Sequence, residues 1–246
     1  MIRAETHDGL ALVTLQRADR GNALSAELVD ALHGALRAAC NDPAVHTLVL
    51  RAEGRHFCTG FDLSDLDDCS DGDLMLRFVR VEALLSDLWH APIRTVAIAQ
   101  GRAWGAGADL FAACERRMSC EDATFRFPGP GFGLVLGTRR LGERVGTDLA
   151  RDWTIGAGQV DAQAALRARL ATDVLAADSD PLSAFASPPA VERSTAAALR
   201  SATRAEHRDA DLAALVRSAA LPGLRARIAA YRTSVRGASG KPTQRS

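Results

Sequence analysis

Lysine is all but missing from this 246-residue chain: Lys241, near the C-terminus, is the only one, so every other basic residue is an arginine. A body without lysine excludes a Schiff-base nucleophile and the phosphate-binding motif G-x-x-x-x-G-K-[ST]. Any fixed positive charge in a site must be a guanidinium. Cysteine is sparse too. Cys40, Cys58, Cys69, Cys114 and Cys120 are odd in number and contain no C-x-x-C spacing, which argues against a disulfide framework and against a zinc site. The chain also lacks G-x-S-x-G and H-E-x-x-H, the signatures of serine hydrolases and zinc proteases. No window approaches the roughly 18 uninterrupted apolar residues of a membrane span, and Arg3, Glu5, His7 and Asp8 interrupt the start of the chain. A soluble, cytoplasmic protein is therefore expected, with no membrane partner. Nor is there an excess of charge: 30 basic residues face 30 acidic ones, interspersed, so no field draws in nucleic acid.

What is present is ordinary globular composition, 47% apolar and 24% charged, long enough for one large domain with a substantial core. The first half alternates strand-like and helix-like segments, which predicts α/β architecture with parallel pairing. Strands are expected at Leu10 to Gln16, Thr47 to Leu50, Arg94 to Ala99, Arg117 to Ser119 and Thr124 to Phe127. Ser25 is placed to cap a helix carrying Leu28, Val29, Leu32 and Leu36 at helical spacing until Asn41-Asp42-Pro43, and a second helix runs from about Asp73 to His90. From about Thr138 the chain turns alanine-rich and helical, with segments near 190–203, 209–219 and 222–232. The expected organisation is a core over 1–185, a helical region over 186–236 and a frayed tail over 237–246.

Two loops carry the chemistry. Phe57-Cys58-Thr59-Gly60-Phe61-Asp62-Leu63 and Gly101-Arg102-Ala103-Trp104-Gly105-Ala106-Gly107-Ala108-Asp109 each place glycine where a strand hands over to a helix. Backbone N–H groups at such turns have no internal acceptor, and glycine lets a ligand approach them. Two such turns face to face could hold one developing oxyanion. A dinucleotide fingerprint fails here, because its third glycine would fall at Leu110.

Together with Arg20-Gly21-Asn22-Ala23-Leu24, and with Ala123-Thr124-Phe125 through Pro128 to Gly137-Thr138-Arg139-Arg140-Leu141, the two loops resemble the crotonase, or enoyl-CoA hydratase/isomerase, superfamily over residues 2 to about 172. The resemblance implies a spiral of ββα units with a C-terminal helical region, assembly as homotrimers or homohexamers, and an acyl-CoA thioester as ligand with no separate cofactor and no metal. It implies that the thioester oxygen sits between the backbone N–H groups of Phe61 and Ala106. Arg17, Arg20, Arg55, Ala23 and Gly60 are implied at the CoA, and Trp104, Gly105, Pro128 and Gly129 around the acyl group.

The two family glutamate positions are Asp109 and Gly129. Asp109 is thus the single candidate acid/base, one methylene shorter than glutamate, and two-carboxylate water addition loses a partner. Lyase or isomerase chemistry follows as the expectation; the alternative is a non-catalytic acyl-CoA-binding homologue. Four further expectations concern single residues. Asp62 caps a following helix, His90 is a cation at a helix C-terminus, His56 is a solvated loop histidine, and Arg126 is exposed on a strand face.

Overall fold

A computed structural model describes residues 1–176 and 179–239. The chain opens with a hairpin, β1 (Ile2–His7) and β2 (Leu10–Leu15), turned by Asp8 and Gly9, both at positive φ. Then follow α1 (Ala26–Asn41), β3 (Thr47–Ala52), α2 (Asp71–Trp89), β4 (Arg94–Ala99), β5 (Arg102–Trp104), α3 (Ala106–Ala113), β6 (Arg116–Cys120) and β7 (Thr124–Arg126). The remainder comprises α4 (Thr138–Val145), α5 (Thr147–Gly156), β8 (Val160–Asp161), α6 (Ala162–Arg167), β9 (Asp173–Leu175), α7 (Arg193–Ala202), α8 (Arg208–Ala219) and α9 (Leu224–Ser239).

The main sheet has the order β1-β2-β3-β4-β6-β9 and is parallel throughout except for the opening hairpin. A second sheet, β5-β7-β8, stands beside it, and Cys58 bridges to Ala103 of β5. The chain therefore repeats a pattern of one strand in each sheet followed by a helix, seen in β4-β5-α3 and in β6-β7-α4. This is the predicted spiral of ββα units. Thr47–Leu50 and Thr95–Ala99 are buried without a break, as strands covered on both faces must be.

Local signals hold where they are strong. Ser25 Oγ accepts from Leu28 N–H as the cap of α1, and Ser70 with Asp73 forms a capping box on α2. The expected strand at Arg94 to Ala99 agrees with β4 at both ends, those at Leu10 to Gln16 and Thr124 to Phe127 overrun β2 and β7 by one residue, and those at Thr47 to Leu50 and Arg117 to Ser119 stop short of β3 and β6. β1, β5, β8 and β9 carry too little pattern to read. The expected tail begins inside a helix: α9 runs through Gly237 to Ser239, and residues 240–246 lie outside the described residues.

The missing lysines leave a visible mark on how helices end. Arg193 donates to the carbonyls of Cys40, Asp42 and Val45 after α1, and Arg204 to Trp89 O at the end of α2. Arg144 donates to Ala112 O and Cys114 O at 3.0 and 2.9 Å after α3, and Arg227 to three carbonyls at the end of α8. Each guanidinium satisfies orphan carbonyls and opposes the negative end of the helix dipole, worth about 0.3–1 kcal/mol and up to ~2 when partly buried.

One charged cluster lies inside the protein. Arg140 of α4 is 1% exposed and forms a two-pronged pair with Glu82 of α2, itself 3% exposed. Asp211 of α8 lies 3.3 Å from Arg140 and accepts two bonds from Arg139, at 2.8 and 2.5 Å. Three helices are thus fastened through one buried network. Because an unpaired buried charge costs more than the pair contributes, Arg140→Met is expected to destabilise the fold by about 3–5 kcal/mol in urea unfolding, and Glu82→Leu added to it to restore most of that loss.

Candidate functional site

The two glycine loops meet because β3 and β4 are neighbours in the main sheet. Cys58 N–H donates to Arg102 O and Trp104 N–H to Cys58 O, both at 3.0 Å, while Leu24 N–H donates to Gly60 O at 2.8 Å. Gly60 has φ +102°, and a Cβ there would stand 2.8 Å from Trp104 O and 3.7 Å from Ala106 N. Only glycine allows that conformation and that approach. The consequence is that the backbone around Phe61 and Ala106 converges. Among the described residues neither Phe61 N–H nor Ala106 N–H meets a backbone acceptor, Ala106 being the first residue of α3.

Phe61 and Ala106 both line a cavity of about 210 Å³. Gly60, Phe61, Trp104, Gly105, Ala106, Asp109, Pro128 and Gly129, all named from sequence, line it together. Phe78, Phe127, Leu134 and Leu136 make much of the rest apolar, and Tyr231 of α9 closes one side, where it packs against Phe132 at 5.2 Å between ring centroids. Tyr231, Thr138 and Thr154 were not singled out from sequence; their positions in the wall depend on how α4, α5 and α9 fold back.

Asp109 is the only acidic residue among those lining residues, and its side chain is buried. Gly137 makes room for it: a Cβ at that position, held at φ +66°, would lie 2.2 Å from Asp109 Oδ1. Burial pushes the Asp109 pKa well above the usual carboxylate range. Arg140 opposes that shift and Glu82 adds to it, and no hydrogen bond contributes. A carboxyl bonded to backbone donors, the structural role such a helix-start acid often plays, is not what is found.

The predicted CoA arginines fare differently. Arg20 and Arg55 are exposed on the loops before α1 and after β3. Arg17 is committed inside the protein: its Nη1 donates to Ala23 O at 2.8 Å and to Asp62 Oδ2 at 2.5 Å. None of these arginines lines the cavity, nor does Ala23.

Four single-residue expectations require correction. Asp62 caps no helix; it accepts from Ser64 N–H and pairs with Arg17, because the chain continues into a turn rather than a helix. His90 does follow α2, with Nδ1 2.8 Å from Ser86 O, but burial lowers its pKa and disfavours the cation. His56 is half-buried, and its Nδ1 accepts from Arg102 N–H at 3.2 Å. Arg126 is not on an exposed face but in the cavity wall, its Nε donating to Ala157 O at 2.8 Å. Cys58 and Cys114 are fully buried, which raises both thiols to about 12.

The enoyl-CoA hydratase/isomerase family model matches residues 5–221. The chain belongs to the enoyl-CoA hydratase/isomerase family. Among curated relatives of this family, the Mycobacterium bovis protein named Probable enoyl-CoA hydratase echA6 is 33% identical over 177 residues, covering 71% of this chain and 70% of its own. A crystal structure of an enoyl-CoA hydratase/isomerase homologue from Bordetella parapertussis superposes with a TM-score of 0.91 at 43% identity, over 98% of this chain and 99% of that one. An enoyl-CoA hydratase/isomerase from Xanthobacter autotrophicus Py2 gives 0.83 at 26% identity, over 96% and 93%. The crotonase-like fold and the family are therefore those the four sequence segments pointed to.

A buried carboxyl with a raised pKa makes stability pH-dependent. The folded-state pKa of Asp109 lies above the unfolded value, so its contribution is intact below the unfolded pKa and is lost as pH rises through the folded one. Asp109→Asn removes that dependence. Thermal unfolding from pH 4 to 9 is expected to show the variant gaining on the wild type as pH rises.

Proposed function

We propose that the protein is an acyl-CoA enzyme that moves a proton along the acyl chain through a thioester enolate, with Asp109 as the only acid/base. The reading rests on one observation: two backbone N–H groups without acceptors and a single buried carboxyl line the same apolar cavity. The thioester carbonyl oxygen accepts from Phe61 N–H and Ala106 N–H. When a proton leaves the carbon chain for the Asp109 carboxylate, the electron pair it leaves behind delocalises onto that oxygen. Each donor then contributes roughly 3 kcal/mol to lowering the barrier. Burial raises the pKa of Asp109, which makes its carboxylate a stronger base for that proton. Returning the proton to a different carbon shifts the double bond and needs no second acid.

Hydration asks for more, since a water must be held and deprotonated while a proton is delivered to carbon. At Gly129 no side chain is available to share that work. Isomerase or related lyase chemistry is accordingly favoured over hydration. A binder without chemistry would have no use for an acid held unpaired against its ligand, so the enzyme reading is preferred. Belonging to the same proposal are a cytoplasmic location, assembly as trimers or paired trimers, CoA contacts from Arg20 and Arg55, and no cofactor beyond the CoA of the substrate.

Two experiments test the assignment. Ala106 is the first residue of α3, where proline fits the backbone but lacks N–H. Ala106→Pro is expected to lower kcat/KM for conversion of a 3-enoyl-CoA to its conjugated 2-enoyl isomer by about 10²–10³-fold, with the Tm little changed. Undiminished turnover would remove the oxyanion role. The second adds a carboxyl: a Cβ at Gly129 meets only Leu134 O, at 3.6 Å. Gly129→Glu is expected to raise hydration of crotonyl-CoA relative to isomerisation, measured as loss of the conjugated thioester absorbance, and an unchanged ratio would argue that the missing glutamate does not set the reaction.

A further inference from the structure

The cavity holds one cation as well as one acid. Arg126 is the only basic residue among its lining residues, and no ion pair neutralises it among the described residues. It stands in β7 opposite Trp104 of β5, with its guanidinium carbon 5.8 Å from the indole centroid. Its Nε is engaged with Ala157 O, the residue that ends α5, which fixes the plane of the group and leaves the fork of Nη1 and Nη2 without a bonded acceptor. Its own carbonyl accepts from Gly105 N–H at 2.8 Å, so the residue is rooted next to the Ala106 donor. The pantetheine arm of CoA keeps the phosphates far from a side chain rooted there, so an anion meeting Arg126 belongs to the acyl group. A planar fork with two parallel N–H donors is the geometry that a carboxylate fills. An uncharged acyl chain would cover this half-buried guanidinium without offering its Nη groups an acceptor, an arrangement that disfavours its binding.

Resting on the acyl-CoA reading above, we infer that the substrate is an acyl-CoA whose acyl chain ends in a second, free carboxylate, and that Arg126 is the residue that selects it. The sequence reading favoured an exposed arginine on a strand face at this position. The inward choice follows from the pairing of β7 with β5 and from the carbonyl that Ala157 presents.

The test is isothermal titration calorimetry with matched pairs of saturated thioesters: succinyl-CoA against butanoyl-CoA, glutaryl-CoA against pentanoyl-CoA, and adipoyl-CoA against hexanoyl-CoA. At one or more lengths the carboxylated member is expected to bind at least about tenfold tighter than its twin, the scale of one charge-assisted pair. In Arg126→Gln that ratio is expected to collapse toward one, and in Arg126→Lys to fall in between. Because both twins meet the same cavity, their ratio is insensitive to a general loss of folded protein. Equal or weaker binding of the carboxylated member at every length overturns the inference while leaving the acyl-CoA reading intact, as does a ratio that survives Arg126→Gln. Binding of neither twin overturns the acyl-CoA reading and this inference with it.

Discussion

The close approach of two backbone turns governs this molecule. Gly60 and the start of α3 sit so near each other that no side chain fits between them, and the hydrogen bonds from Cys58 to β5 hold them there. Everything proposed about chemistry depends on that distance, because two N–H groups can share one oxygen only when both turns are held in register. The register comes from β3 and β4 lying side by side, and the rigidity from the fully buried run of side chains along them. The site is thus a by-product of parallel sheet geometry: neighbouring parallel strands end at the same edge of the sheet, so the turn at Gly60 and the start of α3 lie side by side there.

Charge is handled in two distinct ways. Most arginines for which a partner is seen are spent on carbonyls at helix ends or on carboxylates at the surface, which explains how a chain with a single lysine tolerates so many guanidinium groups. The Arg140–Glu82–Asp211 network is different, since it is desolvated and joins three helices behind Asp109. Its charges reach Asp109 with opposite signs, so burial remains the leading influence on that carboxyl. A residue in α4 and another in α2 therefore bear on the acid without touching the ligand. Arg126 contrasts with both groups: it lines the cavity, donates to Ala157 O and has no ion pair among the described residues, and it sets a positive charge in the same wall as Asp109.

Much of this was legible in the chain. Buried parallel strands are continuous apolar runs, so β3 and β4 could be read almost to their ends, and Ser25 announces α1. The glycine loops could be read because only glycine serves at the turns they make. What failed was short or conditional. β8 has two residues and β9 three, too few for any periodicity, and both exist only because a neighbouring strand offers its edge. Asp62 had the residue type of a cap but not the helix to follow it. Arg17, placed beside a ligand loop, was taken up by Asp62 from 45 positions away.

By itself the sequence determined the family, the sheet-forming runs, the converging glycine loops and the reduction of two acid positions to Asp109 alone, because each of these is a property of residue type at a fixed spacing. Tertiary structure decided which way the arginines point, which hydroxyls and aromatic rings from α4, α5 and α9 close the cavity, and how strongly Asp109 is desolvated. Those depend on contacts between segments far apart in the chain, where the energy of a charge is set by what surrounds it and not by its neighbours in sequence.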